Sequence, residues 1–344
     1  MRVLVLEDWW KLVVAERPDP APVGRQVLLE IHATGICGSD IHGFTGATGR
    51  RQLGQVMGHE TVGRVVALGD GVGPEFGLEV GAVATVNPVV SCGDCDQCRA
   101  GSEQACPSRS VIGVDPSVSS AFAEKMLAPA ENVIPLPAAM PIDYGALIEP
   151  LAVGYHAVHR GQIGPGDRVL VIGGGPVGQA CVLAARRQGA EQVVVSEPTA
   201  ARRRLNKALG AVTLDVITTE RVPSVRDALG GPPTVIVDAV GSSASLDSAF
   251  SAAALGSAIV LVGMGEANLA LRGYEISTKE RSIVGSFTYS REEFKTTAEW
   301  VGTAPSELSL LIEGRVDLLG SRDTFTELAR GDNTASKILV MPQA

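Results

Sequence analysis

A glycine run lying between a strand and a helix constrains this chain more than any other feature. Gly173-Gly174-Gly175-Pro176-Val177-Gly178 sets Gly173, Gly175 and Gly178 at G-x-G-x-x-G spacing. The apolar stretch 168–174 predicts a strand entering the run, and residues 177–188 predict an apolar helix leaving it. The first glycine of such a turn permits its tightness, the second lets backbone approach a pyrophosphate, and the third allows close helix–strand packing. The helix N-terminus, opened by Pro176 and Val177, offers N–H groups and a positive dipole end to phosphates. Glu197 ends the next predicted strand, residues 192–196, about twenty residues on, where an acid binds a ribose 2′-hydroxyl and repels a 2′-phosphate. A dinucleotide-binding unit that takes NAD is therefore expected. Arg202, Arg203 and Arg204 complicate that choice, although they lie in the next helix and face solvent or the adenine on this reading.

The alternation continues beyond the motif. A helix is predicted over 200–209, strands over 234–239 and 257–262, and a small-residue helix over 246–255 between them. This pattern implies a parallel sheet with right-handed crossovers. Before about residue 150 the texture differs: short β-like runs at 27–32, 61–67 and 82–86 are broken by Gly and Pro, which suggests an irregular all-β module. The tail holds a predicted helix near 291–301 and a final strand at 337–340, and it is expected to close back on the first module. The expected division is 1–150 with 288–344, and 151–287 inserted between them.

Six cysteines occur in 344 residues, and four of them form Cys92-x-x-Cys95-x-x-Cys98-x7-Cys106. Three fixed offsets after Cys92 arise by chance roughly once in 10⁵. Four thiolates at short spacing make a closed tetrahedral zinc site with no exchangeable position, hence a structural one. A redox cluster or inert buried thiols is the alternative. A net charge of −9 argues against nucleic-acid or anionic-membrane partners. The start of the chain turns acidic at Glu7-Asp8, too early for a secretory h-region, and the uncharged run 169–185 is glycine-rich and short of a bilayer span. A soluble cytoplasmic protein is expected.

A third signal is dispersed: Cys37-Gly38-Ser39-Asp40-Ile41-His42, then Gly58-His59-Glu60, then Glu149-Pro150-Leu151. Thiolate, imidazole and carboxylate are all zinc donors, and catalytic zinc keeps three protein ligands and one exchangeable position. Alone, His59 would read as a core histidine and Glu60 as a solvated charge; beside a nucleotide motif the three segments point to a metal site. Cys181, His32, His156 and His159 read as structural.

These stretches, with the four-cysteine lobe and Gly173 to Gly178, resemble the zinc-dependent medium-chain dehydrogenase/reductase family, in particular its sorbitol (polyol) and threonine dehydrogenase branch. The resemblance runs essentially end to end. It implies an α/β chain: a GroES-like irregular β domain with an inserted Rossmann doubly wound parallel-sheet domain. It also implies that Cys37, His59 and Glu60 surround a catalytic zinc, with Glu149 near the metal as ligand or through water. Ser39 and His42 would pass the substrate proton to solvent, Asp40 would orient His59, and Val262 and Phe287 would join the cofactor site. Two zinc ions, NAD, a small-molecule alcohol substrate and a homo-tetramer, or a dimer, are expected.

The chemistry asks for a metal. Zinc lowers the pKa of bound water from about 15.7 to about 7. A comparable effect on an alcohol, at about 1.36 kcal/mol per unit, is worth about 12 kcal/mol. The leading expectation is an NAD-dependent oxidation of a secondary alcohol, polyol or sugar-derived. Threonine or sugar-acid oxidation is the runner-up, and a nucleotide-binding relative without turnover the different-class alternative. Polyol dehydrogenases carry an arginine after the Gly-x-Phe that closes this domain; here Gly285-Ser286-Phe287 is followed by Thr288, which weakens the sorbitol assignment. Arg50 and Arg51 lie between the zinc-ligand segments and read as a solvated loop, with contact to a substrate carboxylate as the alternative.

Overall fold

Ten residues, Gln26–Gly35, form the spine of one half of the molecule. Their alternation puts Val27, Leu29 and Ile31 on one face, where they meet Val65, Ala84, Val86, Met126 and Ala128 in a buried cluster. Glu60–Leu68 pairs antiparallel along one side of this strand, followed outward by Val83–Val86 and Val133–Pro135. Lys125–Pro129 takes the other side near the strand's start. Near its end, Leu339 pairs with Gly35 and Val340 with Thr34, through the chain's final strand Ile338–Val340. The tail thus returns to the first sheet, and the parallel-sheet segment is an insertion. The computed structural model describes residues 1–118, 120–216 and 222–344. It divides into a unit of Met1–Glu149 with Ser290–Ala344 and a unit of Pro150–Tyr289.

The first unit has a second core under the hairpin Arg2–Asp8 and Lys11–Glu16. Leu4, Leu6, Leu12, Phe44, Met57 and Phe122 gather there around Phe325 of the helix Ser321–Arg330. Phe325 meets both Phe44 and Phe122 edge-on at 5.6 Å, a geometry that adds about 0.5–1.5 kcal/mol per pair beyond burial. The helix Gly38–Thr45 is held against this core by Phe44, which fixes the chain just after Cys37.

The second unit is a six-stranded parallel sheet in the order Val212–Leu214, Gln192–Ser196, Arg168–Ile172, Val235–Asp238, Ala258–Leu261, Ser282–Gly285. In chain order this is 3-2-1-4-5-6, the doubly wound arrangement whose ligands bind at the carboxyl ends of the strands where the order reverses. The strand Arg168–Ile172 sits beside that reversal and buries Val169, Leu170 and Val171 completely, as a strand covered on both faces must. The predicted strand at 192–196 and helices at 177–188 and 200–209 appear as Gln192–Ser196, Pro176–Arg187 and Ala200–Ala208. The edge strands Val212–Leu214 and Ser282–Gly285 and the helices Val222–Leu229 and Ser321–Arg330 were not among the expectations. Among the described residues no helix is long and apolar enough to cross a membrane.

Candidate functional site

Cys37 stands just after the spine strand, at the N-cap of the helix Gly38–Thr45. Asp40, third in that helix, is fully buried, and its Oδ2 accepts the Cys37 N–H at 3.2 Å. Its Oδ1 lies 3.5 Å from His59 Nδ1, on the residue that precedes the strand Glu60–Leu68. Ligand atoms of Cys37, His59 and Glu60 all lie within 4.8 Å of one another. Burial opposes the charge on Asp40, but His59 and Arg51 beside it and the Cys37 N–H outweigh that and hold the carboxyl below its ordinary range. Burial likewise opposes a charge on His59, and Asp40 with Cys37 outweighs it, so the ring binds a proton well above the ordinary histidine range. A half-buried thiol, a buried imidazole and a buried carboxylate at this spacing, with Asp40 behind the imidazole, are a donor set suited to zinc.

Glu60 carries a feature that local motif reading could not supply. Lys337, buried in the final segment, donates to Glu60 Oε1 at 2.7 Å and Oε2 at 2.5 Å, and to the Ile36 carbonyl at 3.2 Å. Burial opposes the Lys337 charge, yet Glu60, Cys37 and Glu149 outweigh it and raise its pKa. Gly35 makes the pair possible: a Cβ there would stand 2.1 Å from Glu60 Oε2. Glu149, first turn of the helix Ile148–Arg160, is buried and acts on Lys337 electrostatically, but its carboxylate is not in the 4.8 Å cluster.

Two further positions on the helix Gly38–Thr45 differ in exposure: Ser39 is half-buried and His42 exposed. The loop arginines also part company. Arg50 is exposed, whereas Arg51 is buried with its Nη2 3.4 Å from Asp40 Oδ1. The solvated-loop expectation therefore fails for Arg51; a buried carboxylate, from Asp40, is what it meets. His32 Nε2 donates to the Asp143 carboxylate at 2.9 Å, in line with a structural histidine.

The cysteines of the lobe form a separate cluster, running from exposed Cys92 to buried Cys106. Their sulfurs lie 3.5 Å (Cys95–Cys98), 3.5 Å (Cys92–Cys106) and 3.9 Å (Cys92–Cys98) apart. A disulfide needs about 2.05 Å. A tetrahedron with about 2.3 Å zinc–sulfur bonds has edges of about 3.8 Å. The four thiols fit a closed zinc site. Cys181 is elsewhere, fully buried, and burial pushes its thiol up to about 12.

In the second unit the glycine run joins the strand Arg168–Ile172 to the helix Pro176–Arg187. A Cβ on Gly178 would stand 1.9 Å from the Gly173 carbonyl oxygen, so helix and strand meet only through glycine. Gly174 is pinned from both sides: its N–H donates to Glu197 Oε2 at 2.8 Å, and its carbonyl accepts from Gln179 Nε2 at 2.9 Å and Asn206 Nδ2 at 2.8 Å. Glu197 Oε1 accepts the Thr199 N–H at 2.8 Å. Buried Glu197 is thus a brace for the loop as well as a candidate for the ribose. Gly175 is open apart from Arg202, whose Nη1 lies 3.9 Å from where a Cβ would stand, while Arg203 turns to the Glu197 and Pro198 carbonyls and Arg204 is exposed. An open glycine with a guanidinium alongside suits an anionic pyrophosphate.

Val262, buried, and Phe287, a third exposed, follow the carboxyl ends of Ala258–Leu261 and Ser282–Gly285, the end where ligands bind in such sheets. Thr288 is in the left-handed region at φ 50, and its Oγ1 and the Ser286 Oγ are buried without partners. Asp238, unmarked by any motif, ends the strand Val235–Asp238; burial raises its pKa, and its carboxylate accepts Val240 N–H, Gly241 N–H and the Ser245 hydroxyl.

Comparison with known proteins agrees with this geometry. Residues 24–138 match the alcohol dehydrogenase GroES-like domain, and residues 176–303 match the zinc-binding dehydrogenase domain. L-galactonate-5-dehydrogenase of Escherichia coli (strain K12) is 30% identical over 326 residues, covering 94% of each chain. A sorbitol dehydrogenase of Arabidopsis thaliana is 30% identical over 325 residues, 91% of this chain and 88% of its own. The crystal structure of galactitol-1-phosphate dehydrogenase from Escherichia coli superposes with a TM-score of 0.89 at 28% identity, over 99% of this chain and 100% of the other. With two such matched domains, an inserted doubly wound sheet and two zinc-competent clusters, the chain belongs to the zinc-dependent medium-chain dehydrogenase/reductase family and is a dehydrogenase acting on CH–OH donors.

Proposed function

We propose that the protein oxidises a secondary alcohol of a polyol or sugar-derived substrate with NAD, using one zinc at Cys37 and His59 and a second, structural zinc in the cysteine lobe. The observation that carries this reading is the cluster of half-buried Cys37 with buried His59 and Glu60, and Asp40 beneath it. When bound, zinc supplies the Lewis acidity that lets an alcohol lose its proton near neutral pH, and NAD supplies the hydride acceptor. Cys37 and His59 would hold the metal, with Glu60 and Glu149 at its side. Glu60 already has a buried cation in Lys337, so its carboxylate is held in balance next to the metal position.

Ser39 and His42 stand three apart on the helix Gly38–Thr45, a spacing that makes side chains neighbours. A half-buried hydroxyl followed by an exposed imidazole supports a proton path from substrate to solvent. In the second unit the glycine run, Pro176 and Val177 would receive the pyrophosphate, with Arg202 alongside. Glu197 retains lone pairs for a ribose hydroxyl after accepting its two N–H groups. That supports NAD over NADP. The test is NADH formation across polyols, sugar acids and threonine, with zinc counted in the same preparation. Turnover of a secondary alcohol with two zinc ions per chain is expected; two zinc ions with no turnover on any of these classes overturns the substrate assignment.

A further inference from the structure

We infer that Arg51 is a positioning residue for the metal centre, acting on His59 and Cys37 through Asp40; the inference rests on the zinc reading of Cys37 and His59. The arginine's side chain is 2% exposed, although the residue sits in a polar loop beside exposed Arg50. Its stem crosses the helix Gly38–Thr45 at Gly43, where a Cβ would stand 2.5 Å from Arg51 Cγ and 3.2 Å from its Nε. Glycine inside a helix is unfavourable relative to alanine. Here it opens the notch through which the arginine reaches Asp40.

A buried charge is tolerated only when paired, and the pairing here is singular. Of the guanidinium's donors, Nη2 meets Asp40 Oδ1 at 3.4 Å, while Nε is buried with no partner. The same carboxylate oxygen lies 3.5 Å from His59 Nδ1, and the other oxygen accepts the Cys37 N–H. Asp40 is therefore a hub with three spokes. One reaches the ring of a candidate ligand, one the backbone of another, and the third is Arg51. Breaking a buried ion pair leaves an uncompensated charge. Without the guanidinium, Asp40 loses the contact that opposes its pull on His59 and is free to shift on its side-chain torsions. Both spokes to the metal ligands shift with it. Partners behind metal ligands typically govern metal affinity by 10–100-fold.

The test follows zinc rather than turnover. Zinc-loaded wild type, Arg51→Met, Arg51→Lys and Gly43→Ala are mixed with a chromogenic chelator, and the release of each zinc population is timed. In Arg51→Met the zinc at Cys37 and His59 is expected to leave about 10–100-fold faster, with the cysteine-lobe zinc unchanged. Gly43→Ala, which closes the notch, should do the same, and Arg51→Lys should recover part of the slow release. In an Asp40→Asn background, Arg51→Met should add no further acceleration. Unchanged release in both Arg51→Met and Gly43→Ala overturns the inference. So does equal acceleration of both zincs, which would make Arg51 a packing residue only, or a full additive effect in the Asp40→Asn background. A wild-type protein that carries the lobe zinc alone overturns the zinc reading itself, and the inference with it.

Discussion

Lys337→Met tests the buried pair that the two ends of the chain build together. Methionine keeps the stem and removes the ammonium. Glu60 is then left completely buried without the cation that contacts both its oxygens at 2.7 and 2.5 Å. Removing one partner of a buried ion pair costs about 3–5 kcal/mol. For a folding unit of 150–250 residues, each kcal/mol is worth about 2–4 °C in Tm, so the expected fall is about 6–20 °C. A zinc at Cys37 and His59 offers the stranded carboxylate another cation, so the fall should be smaller in zinc-loaded protein than after chelation. Calorimetry on both forms reads this directly. The double variant Lys337→Met/Glu60→Leu should regain most of the loss, because replacing both members of a buried pair with apolar groups is often neutral. The pH dependence has a definite sign. Lys337 has its pKa raised on folding, so its contribution is fully present below the unfolded value of about 10.4 and fades only as pH rises through the folded one. The Tm gap should therefore stay constant between about pH 6 and pH 9. A single variant within about 2 °C of wild type, or a double variant no more stable than the single, would refute the reasoning.

Wild type is expected to prefer NAD over NADP at least about tenfold in kcat/KM; Glu197→Ala should narrow the gap and also lose about 1–3 kcal/mol of stability, since the Gly174 and Thr199 N–H groups lose their acceptor. Equal efficiency of the wild type with both cofactors sinks the assignment. Cys95→Ser should lower Tm and remove one zinc, whereas His59→Ala should remove the other and abolish turnover with the fold retained; an active His59→Ala protein contradicts the metal assignment. His42→Ala should lower kcat roughly ten- to a thousandfold near neutrality, with the loss shrinking as pH rises because hydroxide then takes the proton. A pH-independent loss accompanied by zinc release would make His42 structural.

Much of this protein was legible in local sequence because its chemistry is local. The G-x-G-x-x-G run announced a strand, a turn and a helix, and the structure forms all three: the helix lies within a residue of its expected bounds, and the strand ends at Ile172, two residues earlier than expected, because Gly173 and Gly174 belong to the turn. Buried parallel strands such as Arg168–Ile172 read clearly, since they are apolar on both faces. The edge strand Val212–Leu214 did not: three residues are too few to show a period, and its pairing with Gln192–Ser196 is what makes it a strand. The four lobe cysteines fall within fifteen residues, so spacing alone pointed to their cluster.

What sequence by itself determined is the set of donors and the class of fold that carries them. Cysteine, histidine, carboxylate and glycine are marked by type and offset, and those marks survive without knowledge of their surroundings. Only the tertiary structure decided how the donors are held. Lys337 meets Glu60 across 277 residues, through a strand pairing that puts Leu339 opposite Gly35. Nothing near either residue signals the other. Arg50 and Arg51 are identical in type and adjacent, yet one is solvated and one is buried on Asp40, because only the second lies over the notch at Gly43. Glu197 similarly braces its own glycine loop through a bond 23 residues away. The physical reason is common to all three. The worth of a charge is set by its burial and its partner, and both are properties of packing that a linear pattern does not contain.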